Sequence, residues 1–134
     1  MSKIQKKILL VEDEDFAKEI LSHYLSSYFE VEAKPNGMEA LKFLQYTDPP
    51  SLIITDVDMP IMDGFSLLKK LKCHERLQNI PVIILSSRKD REDRRRGLAV
   101  GAVEFLCKPF DPVKLQSVLR KVLLCSQNSS TMIS

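Results

Sequence analysis

Tryptophan is absent from this chain, cysteine occurs three times, and no apolar run approaches the roughly 20 residues that cross a bilayer as a helix. Cys73, Cys107 and Cys125 have no paired metal-ligand spacing and leave one over from any pairing. That suits packing thiols in a reducing compartment rather than a disulfide framework. The opening segment MSKIQKK lacks the apolar stretch of a secretory signal, so a cytoplasmic protein with no membrane contact is expected. A dominant charge sign is missing too. Lys and Arg total 20 against 18 Asp and Glu, a net +2, without the basic bias of a dedicated nucleic-acid binder, so direct nucleic-acid contact is not expected. The two histidines, His23 and His74, have no metal-ligand spacing between them. A chain of 134 residues fits one domain, which at this size buries roughly 68% of the surface its unfolded form exposes.

What is present is a set of short apolar segments, each closed by a turn: ILLVEDE, SLIITDVDMP, PVIILSS and VEFLCKP. They alternate with helical patterns, as parallel strands do in βα units. Strands are expected at 8–11, 29–33, 52–55, 82–85 and 103–107. The first helix carries Phe16, Ala17, Ile20, Leu21, Tyr24 and Leu25 at helical spacing. The turn Pro35-Asn36-Gly37 opens a second helix with Ala40, Leu41 and Leu44, which Thr47-Asp48-Pro49-Pro50 stops. Asp63 is placed to cap a third helix with Leu67, Leu68 and Leu71, and a charged fourth helix runs over about 90–99. Asp111 and Pro112 supply an N-cap and first-turn pair for the last, with Leu115, Val118, Leu119 and Val122 on one face. The domain is expected over 1–126, with SQNSSTMIS leading into a polar tail or linker start at 127–134.

The chemistry sits where the strands end: Glu12 and Asp13, then Asp56, then Ser86, then Lys108. In an open parallel sheet ligands bind beyond the carboxyl ends of the strands, so these groups converge on one edge. Three carboxylates at close range call for a bound cation or a raised pKa. A magnesium ion takes oxygen ligands and keeps several waters, and Asp13 and Asp56 can bind it directly with Glu12 through water. With the ion offsetting charge, a carboxylate can act as nucleophile toward phosphorus, and Asp56 is the expected acceptor. Lys108 by charge and Ser86 by its hydroxyl would stabilise the phosphoryl oxygens.

The residues Val11-Glu12-Asp13, the segment from Thr55 to Gly64, Ser86 at its strand end and Lys108-Pro109-Phe110 together resemble the receiver domains of two-component response regulators, with a size close to that of chemotaxis regulators. The resemblance covers nearly the whole chain. It implies an α/β, flavodoxin-like fold: a doubly wound (βα)5 parallel five-stranded sheet in strand order 2-1-3-4-5. It implies a phosphorelay role, with phosphoryl transfer from a sensor histidine kinase or a phosphotransfer protein to Asp56 and altered binding of a protein output partner. It implies no enzyme beyond the domain's own phosphorylation and dephosphorylation. Mg2+ is the implied cofactor, on Asp13, Asp56 and the backbone carbonyl of Asp58, with Glu12 in the acidic pair. Asp58 and Arg88 fall on the positions that tune phosphoryl lifetime. Phe105 stands where many relatives have tyrosine, so a switch using a ring hydroxyl is excluded while rotation of the ring between inward and outward positions is not.

Two rival readings differ in kind. A receiver-like interaction module without phosphorylation would need none of the side chains that are all present. Asp56-Val57-Asp58 also fits the DxD of haloacid-dehalogenase-like phosphatases, but there the acidic metal pair comes late in the chain, whereas Glu12 and Asp13 come first. The run RKDREDRRR over 88–96 reads as a solvated face with Asp90–Arg94 and Glu92–Arg96 pairs, or as a docking surface for an acidic partner.

Overall fold

The computed structural model describes residues 6–87, 91–108 and 111–133, with side chains described as far as residue 124. Five strands, β1 (Lys7–Val11), β2 (Glu30–Lys34), β3 (Leu52–Asp56), β4 (Val82–Ser86) and β5 (Glu104–Cys107), alternate with α1 (Asp15–Ser26), α2 (Gly37–Leu44), α3 (Gly64–Lys72), α4 (Arg91–Val100) and α5 (Pro112–Ile133). All strands are parallel, in the order β2-β1-β3-β4-β5. The order reverses between β1 and β3, and this switch point fixes where the site must lie.

The two-residue period of the strands sorts the core into two layers. Ile8, Leu10, Leu52, Ile54, Ile83, Leu85 and Leu106 face α1 and α5, where they meet Leu21, Leu25, Leu115 and Leu119. Leu9, Val11, Ile53, Ile84 and Phe105 face the opposite way, onto Ala40 and Leu44 of α2 and Phe65, Leu67, Leu68 and Leu71 of α3. Strands buried on both faces read as continuous apolar runs, which is why the four segments were so plain in the sequence.

The caps hold the helices in register with the strand ends. Asn36 accepts from the Glu39 N–H, Asp63 from the Ser66 N–H, and Asp111 from the Val113 N–H. Glu14, rather than Asp13, caps α1 by accepting from the Ala17 N–H at 2.9 Å, which leaves Asp13 outside the helix.

Two expectations shift. Phe16 and Ile20 are 69% and 51% exposed, so only Leu21, Leu25 and their half-buried neighbour Tyr24 carry the inner face of α1. And α5 continues helically to Ile133, through residues expected to form an irregular tail, with no glycine or proline there to stop it. Among the described residues no helix is long and apolar enough to cross a membrane.

Candidate functional site

Because β1 and β3 are adjacent, Val11 pairs in register with Thr55, and the residues just beyond, Glu12 and Asp13 on one side and Asp56 on the other, come together at the switch point. Carboxylate oxygens of Glu12, Asp13 and Asp56 all lie within 4.8 Å of one another. Across β3 and β4, Asp56 is level with Leu85, which places Ser86 one step further along the same edge, and Ser86 in turn pairs with Cys107. The Lys108 N–H donates to the Ser86 carbonyl at 2.6 Å, so the β5 end is tied to the β4 end.

The lysine reaches back over the sheet. Its Nζ donates to Glu12 Oε1 at 2.8 Å and stands 3.6 Å from Asp56 Oδ2. Glu12 is 2% exposed, and its second oxygen accepts from the Glu14 N–H at 3.2 Å. Both Glu12 oxygens are therefore engaged, whereas Asp13 is exposed and open to an ion. Asp56 is oriented by the Val57 N–H, which donates to Oδ1 at 2.8 Å, and its carbonyl accepts from the buried Thr55 hydroxyl at 2.9 Å.

Burial first, then the negative charge of Glu12, pushes the Asp56 carboxyl up to about 6, with Asp58 adding to the rise while Lys108 and the Val57 N–H oppose it. At Lys108 burial works against the charged form, but the Glu12 hydrogen bond and the two facing carboxylates outweigh it and raise its pKa. A raised carboxyl beside other carboxylates and an ammonium marks Asp56 as a candidate functional group.

The donor set fits a small hard ion. Two oxygens opposite each other on a magnesium at about 2.0–2.1 Å stand about 4.2 Å apart. Within their 4.8 Å spread Asp13 and Asp56 could hold such an ion, with the doubly engaged Glu12 better placed to act through water.

The loop that carries Asp58 is pinned at both ends. Its turn at Ile61 has φ 72°, with the Met62 N–H donating to the Pro60 carbonyl at 2.7 Å. This is a γ-turn of the strained left-handed kind, unusual for a β-branched residue. It is held because Met62 is buried against Gly37, where a Cβ would stand 2.9 Å from the Met62 sulfur. The Gly64 N–H donates to the Val57 carbonyl at 2.8 Å, and a Cβ on Gly64 would meet the Asp56 carbonyl oxygen at 2.2 Å. Strain of this sort concentrates at functional loops.

The structure thus brings Glu12, Asp13, Asp56 and Lys108 together, with Ser86 fully buried at the adjoining strand end and Asp58 in the exposed loop beside Asp56. Arg88, Pro109 and Phe110 lie outside the described residues. The Phe105 ring is already inward, 1% exposed. Sequence reasoning missed the Glu12–Lys108 pair, 96 residues apart, and the part played by Gly64, for which a glycine directly after a capping aspartate was the available sign.

A family model described as the response regulator receiver domain matches residues 8–120. The chain is 39% identical over 125 residues to Response regulator Rre1 of Synechocystis sp., covering 92% of this chain and 54% of that protein. It spans about half the length of several curated relatives it matches. Among solved structures it is similar to the chemotaxis response regulator CheY4 of Vibrio cholerae, with TM-score 0.81, 34% identity, and coverage of 89% and 99% of the two chains. It is also similar to the receiver domain of the sensor histidine kinase PA1611 from Pseudomonas aeruginosa, solved with a magnesium ion in its active site cleft, with TM-score 0.81, 26% identity, and coverage of 90% and 98%.

Proposed function

The chain belongs to the response regulator receiver domain family, the signalling module of two-component phosphorelays, and on that premise we propose that Asp56 is its phosphoryl acceptor. The donor in this reading is a phosphohistidine on a sensor histidine kinase or a phosphotransfer protein, and the output is altered binding of a protein partner. The observation that carries it is the placement of Asp56 within ligand reach of Glu12 and Asp13 with the Lys108 ammonium alongside.

Each residue then has a task. The Val57 N–H keeps the Asp56 carboxylate aimed. Asp13, Asp56 and the Asp58 carbonyl would hold Mg2+, with Glu12 through water, and the ion would offset the charge that repels an incoming phosphoryl group. The magnesium in the PA1611 cleft supports that assignment. Lys108 leaves Glu12 to meet a phosphoryl oxygen, and Ser86 donates to another. As phosphorus bonds to Asp56, its bond to the donor nitrogen breaks and the imidazole takes a proton from solvent. Asp58 and Arg88 set how long the acyl phosphate lasts, and Phe105 relays the change from beneath α4. In this reading the receiver unit spans 1–126, with 127–134 as a polar tail or linker start, and acts in the cytoplasm.

Incubation with a small phosphodonor and magnesium should add one phosphoryl group by intact mass, mapped to Asp56. Chelating the metal and Asp56→Asn should each abolish it. Undiminished labelling of the Asn variant sinks the assignment.

A further inference from the structure

At the amino ends of the parallel strands, opposite the edge that carries Asp56, a pocket of about 280 Å³ opens between the end of α1 and the later turns of α5. Its apolar walls are Tyr28 and Phe29, directly before β2, and Leu123 and Leu124 of α5. Lys6, directly before β1, lines it together with Gln116 and Arg120. The α5 members fall at i, i+4, i+7 and i+8, a single stripe of that helix. The wall is held in place. The Phe29 N–H donates to the Leu25 carbonyl at 2.9 Å, and the Glu30 N–H to the Lys6 carbonyl at 3.0 Å, which ties the start of β2 to the residue before β1. The Tyr28 ring meets Phe29 edge-on at 6.5 Å. Tyr28 and Leu124 are nonetheless 53% and 49% exposed, so this apolar surface opens to solvent.

The charges around the pocket are sorted. Lys7 pairs with Glu30 at 3.8 Å, and Lys121 with Glu104 at 3.4 Å. Their chain neighbours Lys6 and Arg120 have no side-chain ion pair or hydrogen bond among the described residues, nor has Gln116. The nearby acids are thus matched to other cations, no carboxylate lines the pocket, and two positive charges remain beside an apolar wall. A nucleic acid or an acidic peptide would use more cations and less apolar surface. An amphiphile with one anionic head uses both. We propose that this pocket binds a medium-chain aliphatic carboxylate, its chain against Tyr28, Phe29, Leu123 and Leu124 and its head at Lys6 and Arg120, with Gln116 as a further donor. The volume lies at the lower end for small-ligand sites, which suits a short chain. The Arg120 fork matches a carboxylate. None of the residues clustered at Asp56 lines the pocket, so the inference does not rest on the acceptor assignment.

The test is calorimetric titration of the whole chain with octanoate, which should bind at one site with a dissociation constant below about 1 mM. Octanol keeps the chain without the charge and should bind about fivefold more weakly. Butyrate keeps the charge without most of the chain and should bind at least about tenfold more weakly. Arg120→Gln should weaken octanoate about fivefold and Lys6→Gln about threefold. Leu124→Glu removes part of the wall and sets a carboxylate at the mouth, so it should cost about tenfold or more. Lys121→Gln removes the same charge one residue along, from the Glu104 pair, and should change affinity by no more than about twofold. All four positions are exposed, and circular dichroism checks that each variant is folded. Absence of octanoate binding overturns the proposal, as does equal affinity for octanol. Equal losses in Arg120→Gln and Lys121→Gln would reduce the effect to bulk charge and overturn it too, and full binding by Leu124→Glu would place the ligand elsewhere. If phosphatidylglycerol vesicles capture the chain while free octanoate does not bind, the surface is a lipid contact and the small-ligand reading falls.

Discussion

The third and fourth βα units solve the same problem in opposite ways. After β3 the chain is pinned by Met62 in its pocket at Gly37, by Gly64 against the Asp56–Val57 backbone and by the Asp63 cap, and α3 then buries Phe65, Leu67, Leu68 and Leu71. After β4 the strand end is the uncharged, buried Ser86, and α4 meets the core through Gly97 and the half-buried Val100, with guanidinium contacts from Arg94 to the Phe105 carbonyl and from Arg96 to the Phe65 ring. Apolar packing is unspecific in direction and summed over many atoms, so it yields little to a local push. A few polar contacts are directional and can be exchanged one at a time. The unit that carries Asp56 is held by many apolar contacts, and the unit beside it by few.

The sharpest way to break that contrast is to truncate both helices. Leu68→Ala should cost about 2–5 kcal/mol in urea unfolding, since the side chain is fully buried. Leu98→Ala, at a position 40% exposed, should cost within about 0.5 kcal/mol. Equal costs would mean that α4 is packed as α3 is.

Adding a methyl group tests the same difference from the other side. Gly64→Ala drives a Cβ into backbone and should destabilise by about 1–3 kcal/mol while depressing Asp56 labelling. Gly97→Ala presses on buried side chains rather than backbone, Ile84 Cδ1 and the Phe105 ring, which need give only a few tenths of an ångström. It also gains about 1 kcal/mol of helix propensity, so unfolding should show little net change. A large loss at Gly97 would make α4 as rigidly seated as the β3–α3 loop.

The smallest effect is electrostatic. Asp56 is raised from its ordinary 3.8 to about 6, so the folded protein holds the proton more tightly than the unfolded chain. Stability from this source is complete below about pH 4 and is lost as pH rises through about 6. Asp56→Asn should therefore stabilise the fold by about 1–2 kcal/mol at pH 8, an allowance for solvent screening included, and by almost nothing at pH 4. Ser86→Ala should show no such pH dependence, and denaturant midpoints at the two pH values give the comparison.

How much of this could be read from the sequence follows from the range of the forces. Strands buried on both faces leave continuous apolar runs, so β1, β3, β4 and β5 and the polar residues ending them were legible, and the sheet topology then collected those residues. Asp63 and Asp111 were legible because a cap acts within the first turn of its helix. The Lys108–Glu12 bond joins two loops 96 residues apart, and no local period records it. Nor does a local period record that Arg94 reaches the Phe105 carbonyl: a guanidinium on a long stem can reach either water or a carbonyl, and the packed edge of β5 decides between them.

The Glu12–Lys108 pair has a consequence for which ion the site admits. Three carboxylates against one ammonium leave two negative charges at the sheet edge when Asp56 is ionised. A divalent cation brings that sum to zero, and a monovalent one leaves a residue of repulsion. On the proposed reading Lys108 is a resident counter-ion suited to a divalent visitor, and removing it would leave that edge one charge more acidic.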